Sequence, residues 1–215
     1  MPIEDHFRWK VDRSLVSSFE SGDPFQITKI GWAVHGFTHI DAPRHIDPNG
    51  GTTSDFAIDD LIGPASIIDL SDIEEETEIT RSRLESAGKH ATSTERILIK
   101  TAWDERHSPK TENFWKRAPF LSLEAAKWLL DLKPKAVGFD FPQDYPIRSL
   151  LDNREPSMEE MVTHDILLRN GIPLIEYLCN LGQVTAKRVE LIALPLKTLD
   201  ADGAPLRVVA KEIFD

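Results

Sequence analysis

The sequence has very little cysteine, since Cys179 is the only one in 215 residues. A single thiol cannot form an internal disulfide, and it excludes every structural zinc site that needs two or more thiolates. One unpaired cysteine is typical of proteins kept in a reducing compartment. We therefore expect a cytoplasmic protein.

Basic residues are scarce relative to acidic ones. The chain has 25 Lys and Arg against 36 Asp and Glu, which gives a formal net charge of −11. Binding to nucleic acid or to an anionic membrane would need a clustered excess of Lys and Arg. The composition therefore predicts neither nucleic acid nor a membrane as a partner.

Long apolar runs are also missing, as are the usual signs of several domains. No uncharged apolar run approaches the ~18 to 20 residues that span a bilayer. Charges interrupt the apolar residues of positions 1–15, so they lack the apolar region of a signal peptide. No repeat, low-complexity tract or Gly/Ser linker divides the chain. We expect one domain over residues 1–215.

Short β-branched runs alternate with a few helix signals. Ser122 precedes a helix-favouring run that ends before Pro134, and residues 80–87 favour a short helix. A further helix is predicted over 158–169, between a capping box of Ser157 and Glu160 and a terminal Gly171. Strands are predicted over residues 27–34, 65–70, 96–102, 135–140, 189–196 and 206–213. Because strands outnumber helices without regular βαβ alternation, we predict an α+β fold with a mixed β-sheet core.

Three of the seven histidines fall within eleven residues. In an extended chain, alternate residues project to one face. Consecutive ligands four residues apart would then be separated by about 13 Å, so we expect a bulge or turn at Gly36. We also expect Pro43 to hold the last histidine apart from the others. The polar groups at these alternate positions are His35, His39, Asp41 and His45.

This cluster has two interpretations. A lone histidine on a strand is usually a hydrogen-bonded core or surface residue, but four unpaired polar groups on one buried face would be costly. A divalent cation removes that cost. Mixed nitrogen and oxygen ligands suit Zn²⁺, Mn²⁺ or Fe²⁺, and the absence of thiolates favours a catalytic site over a structural one.

A second pair of candidate ligands lies far along the chain. His164 shares an apolar stripe of its predicted helix and therefore faces inward, as a core histidine or a ligand would. Glu176 lies inside the apolar run IPLIEYLC, where a carboxylate is costly unless it is paired or binds a metal.

These residues resemble the signature of the metal-dependent cyclase-like hydrolases, a family that includes bacterial kynurenine formamidase, isatin hydrolase and a dienelactone hydrolase. This chain departs from the signature at Phe37, where the family has Gly, and Gly36 comes one position early. Residues 163–181, with the twelve-residue spacing of His164 and Glu176, and residues 194–210, with LPLK and ADGAPLR, are similar to two further family segments. The signature H-x-G-T-H-x-D-x-P-x-H is matched by His35, Thr38, His39, Asp41, Pro43 and His45.

The resemblance implies roles for these residues. It implies that His35, His39 and Asp41 hold one ion, that His164 helps to hold a second, and that Asp41 and Glu176 bridge both. His45 would transfer protons. The implied cofactor is one or two Zn²⁺ or Mn²⁺ ions per chain, in a swivelling β/β/α fold that assembles as a homodimer or homotetramer.

The implied reaction is hydrolysis of a carbonyl C–N bond in a small molecule. An arylformamide such as N-formylkynurenine is the first choice, and an isatin-type cyclic amide or a lactone is the alternative. A non-catalytic metal-binding scaffold is the alternative of another class. Phe19, Trp32 and Phe37 are weak candidates for an aromatic wall against the substrate, although aromatic residues near a strand are more often core.

Overall fold

The structure is a computed structural model that describes residues 1, 3, 4 and 7–214. These residues form six short α-helices: α1 (Ile58–Leu61), α2 (Arg81–Ala87), α3 (Trp103–Arg106), α4 (Glu112–Lys116), α5 (Leu123–Asp131) and α6 (Val162–Ile166). The strands are β1 (Asp12–Ser17), β2 (Ile27–Gly31), β3 (His39–Asp41), β4 (Ile62–Asp69), β5 (Glu78–Ile79), β6 (Arg96–Lys100), β7 (Phe120–Leu121), β8 (Val137–Phe139), β9 (Leu174–Glu176), β10 (Arg188–Ile192), β11 (Gly203–Pro205) and β12 (Val209–Ile213).

An eight-stranded sheet in the order β11-β3-β9-β8-β6-β4-β10-β12 organises the fold. Its four central strands, β4, β6, β8 and β9, are parallel and follow one another in chain order. The strands on either side of them are antiparallel. The predicted α+β fold with a mixed sheet is confirmed. The expectation that βαβ alternation is absent is wrong for the four central strands. Helices lie between these parallel strands along the chain, but their unequal lengths conceal the alternation in the sequence.

Two small sheets lie apart from the main one. Strands β1 and β2 form an antiparallel pair, and β5 pairs with β7 in parallel. The strand predicted over 27–34 ends at Gly31, because the chain then turns and the amide of Gly36 donates to the carbonyl of Ala33 at 3.0 Å. The predicted turn at Gly36 is confirmed.

Two apolar clusters cover the sheet. One includes Leu84 and Leu129 of helices α2 and α5 together with Ile99 and Phe139 of the central strands. The other includes Ile40 and Ile175, which extend from β3 and β9. Because side chains alternate along a strand, the neighbours of Ile40 and Ile175 project to the opposite face of the sheet.

The helix predicted over 158–169 is broken into three turns. Met158–Glu160 and Leu168–Asn170 are single 3₁₀ turns on either side of α6. The capping box before it and the left-handed Gly171 after it are both present. The break has a polar cause, since the amide of Thr163 donates to Asp144 at 2.9 Å instead of to a preceding helical carbonyl.

The helices of the described residues are all short. The predicted helices over 80–87 and 123–132 are present as α2 and α5, and the Ser122 side chain accepts a hydrogen bond from the amide of Ala125 at the start of α5. No helix in this part of the chain combines the length and the apolar character needed to cross a bilayer.

Candidate active site

His39 and Asp41 lie on β3, two residues apart, so their side chains project to the same face of the sheet. Strand β9 runs antiparallel to β3 and places Glu176 directly opposite His39. The His39 Nε2 atom lies 3.0 Å from Asp41 Oδ1 and 3.8 Å from Glu176 Oε2. Strand pairing therefore brings Glu176 next to two donors that lie more than 130 residues before it in the sequence.

His35 precedes the strand and its ring folds back over it. Its Nδ1 atom lies 2.7 Å from Asp41 Oδ1. The ring packs on Gly203 of the neighbouring strand β11, where an added Cβ would lie 2.7 Å from the Cε1 atom of His35. A side chain at position 203 would displace this ring, so the site depends on glycine there.

His45 joins the cluster through a 3₁₀ turn over Pro43–His45. Its ring stacks on that of His35 with 3.9 Å between centroids, and it lies 5.6 Å from the ring of His164. The expectation that Pro43 holds His45 apart is wrong. Proline at the first position of a helical turn has its φ angle preset for that turn, so here it curves the chain back toward the cluster.

His164 and Glu176 complete the cluster from the buried side. His164 Nε2 is 3.5 Å from Asp41 Oδ2 and 3.5 Å from Glu176 Oε1. Both residues are almost fully buried, at 4% and 3% exposure. The structure thus brings all six sequence-predicted donors to one place, with Asp41 in contact with three of the imidazoles.

His35, His39 and His164 each direct one ring nitrogen away from the cluster, here called the outer nitrogen, toward a hydrogen-bond acceptor. His39 Nδ1 lies 2.6 Å from the carbonyl of Phe37, and His164 Nδ1 lies 2.7 Å from Asp144 Oδ2. His35 Nε2 lies 2.9 Å from Asp202 Oδ2. With a proton on each outer nitrogen, the inner nitrogen keeps a lone pair for a metal.

The charges of the cluster shift its histidine pKa values. Burial lowers the pKa of His35, but Asp41 and Asp202 outweigh it and raise the pKa to about 9. Burial also lowers the pKa of His164, but the hydrogen bond to Asp144 and the nearby carboxylates of Asp41 and Glu176 outweigh it and raise the pKa well above its usual value. Burial lowers the pKa of His45 to about 4, and the charges of His35 and His164 act in the same direction.

The two buried carboxyl groups shift in opposite directions. Burial raises the pKa of Glu176, and the nearby charge of Asp41 adds to this effect. Burial raises the pKa of Asp41 too, but the charge of His39 and the hydrogen bonds of the imidazoles hold it well below its usual range. Two carboxyl groups this close in a buried site favour a cation between them.

Two observations show that the residues fit a metal ion. His39 Nε2 and Asp41 Oδ2 are buried, and neither makes a hydrogen bond within the described residues. Two donor sets have their atoms within 4.8 Å of one another, and Asp41 belongs to both: His35, Asp41 and His45, and His39, Asp41 and Glu176. Imidazole and carboxylate donors of this kind bind Zn²⁺ or Mn²⁺.

Three polar residues of the site were not predicted from the sequence. Gln143 and Asp144 follow β8, and Asp202 precedes β11. Gln143 and Asp144 are 0% and 1% exposed. Their signal was a polar pair after a predicted strand, where the carboxyl ends of parallel strands meet. The sequence signal for Asp202 was weaker, because it is a single acidic residue in a segment that resembles a loop.

The three aromatic candidates occupy different environments. Phe37 is 1% exposed and packs edge-on against Trp32 with 6.2 Å between ring centroids. Phe37 also lines a cavity of about 260 Å³ with Cys179 and Asn180. Phe19 lies in the turn after β1 and is 65% exposed, unlike the buried cluster.

Related proteins align with this chain along nearly its whole length. The Cyclase family model matches residues 1–143. Kynurenine formamidase from Bacillus cereus is 36% identical over 197 residues, which cover 92% of this chain and 85% of that protein. Kynurenine formamidase from Bacillus anthracis is 34% identical over 212 residues, covering 99% of this chain and 90% of that protein.

Solved structures share its fold. Isatin hydrolase A from Labrenzia aggregata matches with a TM-score of 0.76 at 24% identity, over 94% of this chain and 82% of that one. A predicted metal-dependent hydrolase from Bacillus stearothermophilus matches with a TM-score of 0.65 at 28% identity, over 94% and 86% of the two chains. Since the family model covers more than half of the sequence and relatives exceed 30% identity over nearly all of it, the chain belongs to the Cyclase family.

Proposed function

We propose that this protein is a metal-dependent amidohydrolase that cleaves the carbonyl C–N bond of a small molecule, with an arylformamide such as N-formylkynurenine as the first choice. The observation that carries the proposal is the convergence of six imidazole and carboxylate donors, with Asp41 at their centre. Two buried atoms of this cluster, His39 Nε2 and Asp41 Oδ2, lack hydrogen-bond partners within the described residues. The relatives named kynurenine formamidase support the choice of substrate class.

The proposed cofactor is one or two Zn²⁺ or Mn²⁺ ions. His35, His39 and Asp41 would hold one ion, and His164 would help to hold a second, with Asp41 and Glu176 shared between the two. Such ions lower the pKa of a water molecule and polarise a carbonyl group. Asp41 and Glu176 offset part of the positive charge and fix the spacing of the two positions.

His45 is the proposed proton-transfer residue. Its side chain is 32% exposed, so it can exchange protons with solvent and with a bound substrate. Its lowered pKa keeps the imidazole neutral at pH 7 and able to accept a proton. In this proposal His45 takes the proton from the attacking water and delivers it to the nitrogen of the leaving arylamine. The C–N bond breaks, and a carboxylic acid and an amine form.

A second candidate is the opening of a cyclic amide or a lactone. The fold match to isatin hydrolase A favours it, and so does the chemistry, because the attack on the carbonyl is the same. The leaving group then stays attached to the product. A metal-binding scaffold without activity is the alternative that turnover of any of these substrates would exclude.

The test combines metal analysis with a substrate panel. Protein expressed with added Zn²⁺ or Mn²⁺ should hold one to two ions per chain, and chelation should remove activity and lower thermal stability, since a ligand present at 100 times its Kd contributes about 2.7 kcal/mol. The panel consists of N-formylkynurenine, formanilide, isatin and an aryl lactone. Less than a tenth of an ion per chain would overturn the proposal. Hydrolysis of isatin or the lactone without formanilides would reject the formamidase assignment alone.

The distant pair provides a second test. Glu176→Gln and His164→Ala should each lose metal or activity, although both residues lie more than 110 positions from the His35–His45 segment. Full turnover and full metal content in both variants would contradict the proposed ligand set.

The aromatic wall is the least supported part of the proposal. Trp32 and Phe37 are in edge contact and near His35 in sequence, whereas Phe19 is in an exposed turn. If the wall binds the substrate ring, Trp32→Ala should raise KM with little change in kcat, because it removes binding shared by ground and transition states. An unchanged KM would remove Trp32 from the site.

We also propose a cytoplasmic homodimer or homotetramer. Strands β1 and β2 and the segment between them expose a group of apolar side chains to solvent. Exposed apolar patches of this kind mark protein–protein interfaces. These side chains, each at least 43% exposed, are Leu15, Val16, Phe19, Phe25, Ile27 and Ile30. Size-exclusion chromatography with light scattering would test the assembly, and a monomer at micromolar concentration would contradict it.

A further inference from the structure

The buried side of the cluster contains a closed ring of polar side chains. Gln143 and Asp144 follow β8, Thr163 and His164 lie on α6, and Glu176 ends β9. All five residues are at most 4% exposed. The ring joins two proposed metal ligands, His164 and Glu176, through three residues with no assigned role.

The hydrogen bonds of the ring have one consistent direction. Asp144, as a carboxylate, only accepts, and it receives the Thr163 amide at 2.9 Å, the Thr163 hydroxyl at 2.7 Å and His164 Nδ1 at 2.7 Å. Because the Thr163 hydroxyl donates to Asp144, it must accept from Gln143 Nε2, which lies 3.2 Å away.

The same reasoning fixes the side-chain amide of Gln143. Its Nε2 atom also donates to Glu176 Oε1, since a carboxylate cannot donate in return. Both N–H groups of Gln143 are therefore used, and the amide cannot flip without placing its oxygen against the Glu176 carboxylate. Its Oε1 atom is buried and has no partner within the described residues. An unpartnered buried acceptor is costly, so it indicates that a further donor, such as an ordered water, completes this part of the site.

The ring holds the two ligands in place from outside the metal position. His164 is fixed through Nδ1 by Asp144, and Glu176 is fixed through Oε1 by Gln143. The inner nitrogen of His164, Nε2, lies 3.5 Å from the same Glu176 Oε1 atom, and the other oxygen, Oε2, lies 3.8 Å from His39 Nε2. Outer hydrogen bonds of this kind orient metal ligands and raise metal affinity.

We propose that Gln143 is a positioning residue for the second metal ion, and that it acts by holding Glu176 against His164 through the Thr163–Asp144 ring. The inference rests on the proposed two-ion function. Gln143 donates to Glu176 Oε1, the oxygen on the His164 side, whereas Oε2 faces His39 Nε2 at 3.8 Å. The histidines of the proposed first ion, His35 and His39, are oriented by Asp202 and by the carbonyl of Phe37. Because Glu176 is shared between the two ions, loss of Gln143 should weaken both of them, and the second more than the first.

The test is the stepwise binding of Zn²⁺ to metal-free wild-type protein and to Gln143→Met, measured by competition with a chromophoric chelator. Methionine has a similar volume and no hydrogen-bonding amide. We expect Gln143→Met to weaken the second ion by roughly 10- to 100-fold and the first ion by a clearly smaller factor. The matched control is Gln183→Met, at an exposed glutamine, which should bind both ions as wild type does.

A spectroscopic signature accompanies the affinities. Two Mn²⁺ ions that share the Asp41 carboxylate would give a spin-coupled electron paramagnetic resonance spectrum. Gln143→Met should convert this spectrum to that of an isolated Mn²⁺ ion at the same metal concentration. A residue that only supports folding would not separate the two ions in this way.

A second variant keeps the proposal testable if Gln143→Met does not fold. Thr163→Val removes the hydroxyl from the ring and leaves the Gln143–Glu176 contact in place, so it should weaken the second ion by less than about tenfold.

The outcomes separate this inference from the proposed function. Equal weakening of both ions, or wild-type binding of both ions by Gln143→Met, would overturn the positioning role. A wild-type protein that takes up only one ion would also overturn it, while leaving a one-ion hydrolase possible. A wild-type protein that binds no ion would reject the proposed function itself.

Discussion

The polar centre has two halves that are built in different ways. The first half is His35, His39, Asp41 and His45, which lie within eleven consecutive residues on strand β3, next to the edge of the sheet, and in its flanking turns. The second half is His164 and Glu176, which come from a helix and a central strand and are joined by the ring of Gln143, Asp144 and Thr163.

Only the first half includes members that reach solvent. The side chains of His35 and His45 are 20% and 32% exposed, whereas His39 and Asp41, at 0% and 1%, are as buried as His164 and Glu176, at 5% and 4%. An exposed imidazole can exchange protons and meet a substrate, while a buried, hydrogen-bonded ligand keeps a fixed position. The difference teaches that one half is suited to the chemistry and the other to holding charge in place.

The largest effect is expected at Asp41, because this carboxylate of the first half also lies 3.5 Å from His164 Nε2 of the second half. Asp41→Asn keeps the shape of the side chain but removes its charge, so both ions should be lost. Turnover should fall by more than the roughly 100-fold typical of residues that only support a ligand. Metal analysis and kcat would be measured beside Asp152→Asn, which removes an exposed carboxylate paired with Lys116. Retention of either ion at wild-type affinity would show that the halves do not share Asp41.

The next effect tests the chemistry assigned to the first half. His45→Ala should lower kcat by roughly 10²- to 10⁴-fold while the protein keeps its fold and at least one ion. His90→Ala is the control, since the His90 ring bonds the carbonyl of Ile67 outside the site. Loss of all metal from folded His45→Ala would make His45 chiefly a ligand, which its contact with His35 also allows.

A matched pair of carboxylates compares the two halves directly. Asp202 orients His35 and Asp144 orients His164, at 2.9 and 2.7 Å, but their side chains are 47% and 0% exposed. Asp144→Asn should weaken metal binding by roughly 10- to 100-fold, and Asp202→Asn by less than about tenfold, because solvent screens an exposed charge. Equal losses in metal titrations would show that exposure does not distinguish the halves.

The smallest effect on activity is expected at Asp140, a buried carboxyl group after β8 that has no imidazole partner among the described residues. It accepts hydrogen bonds from the amides of Thr101 and Ala102, yet burial raises its pKa from 3.8 to about 7. The folded chain then holds a proton that the unfolded chain has lost. Its contribution to stability is complete below about pH 4 and is lost as the pH rises to about 7.

Asp140→Asn tests that sign. The free energy of unfolding of wild type relative to Asp140→Asn should fall by up to about 4 kcal/mol between pH 4 and pH 7, at ~1.4 kcal/mol per pKa unit. Urea denaturation at several pH values would measure it. Turnover per folded molecule should stay within about twofold, since substitutions outside a network usually act independently of it. If the free-energy difference rises with pH instead, the hydrogen bonds that favour the Asp140 carboxylate outweigh the effect of its burial.

Local sequence determined most of the first half. Alternation along a strand placed His39 and Asp41 on one face, and Gly36 marked the end of the turn that contains His35. The same local reasoning failed at Pro43, because a proline can either end a strand or begin a helical turn, and only the packing of His45 on His35 shows which one occurs.

The second half could be predicted only in part. A carboxylate in an apolar run marked Glu176, and an inward helical position marked His164, because burial of a charged group needs a partner. No feature of the nearby sequence identified the partners, which are Gln143 for Glu176 and Asp144 for His164. The helix over 158–169 was predicted as continuous because its capping signals are strong, but the bond from Thr163 to Asp144 breaks it.

The sequence by itself determined the kind of chemistry, through the number and type of donors between His35 and His45, and the mixed α+β composition. The tertiary structure alone decided that Glu176 faces His39 across two antiparallel strands, that Asp202 and Gly203 close over His35, and that Gln143 and Asp144 hold the buried ligands. The physical reason is that turns and side-chain alternation are local properties, whereas strand order and the partners of buried polar groups depend on contacts between residues far apart in the chain.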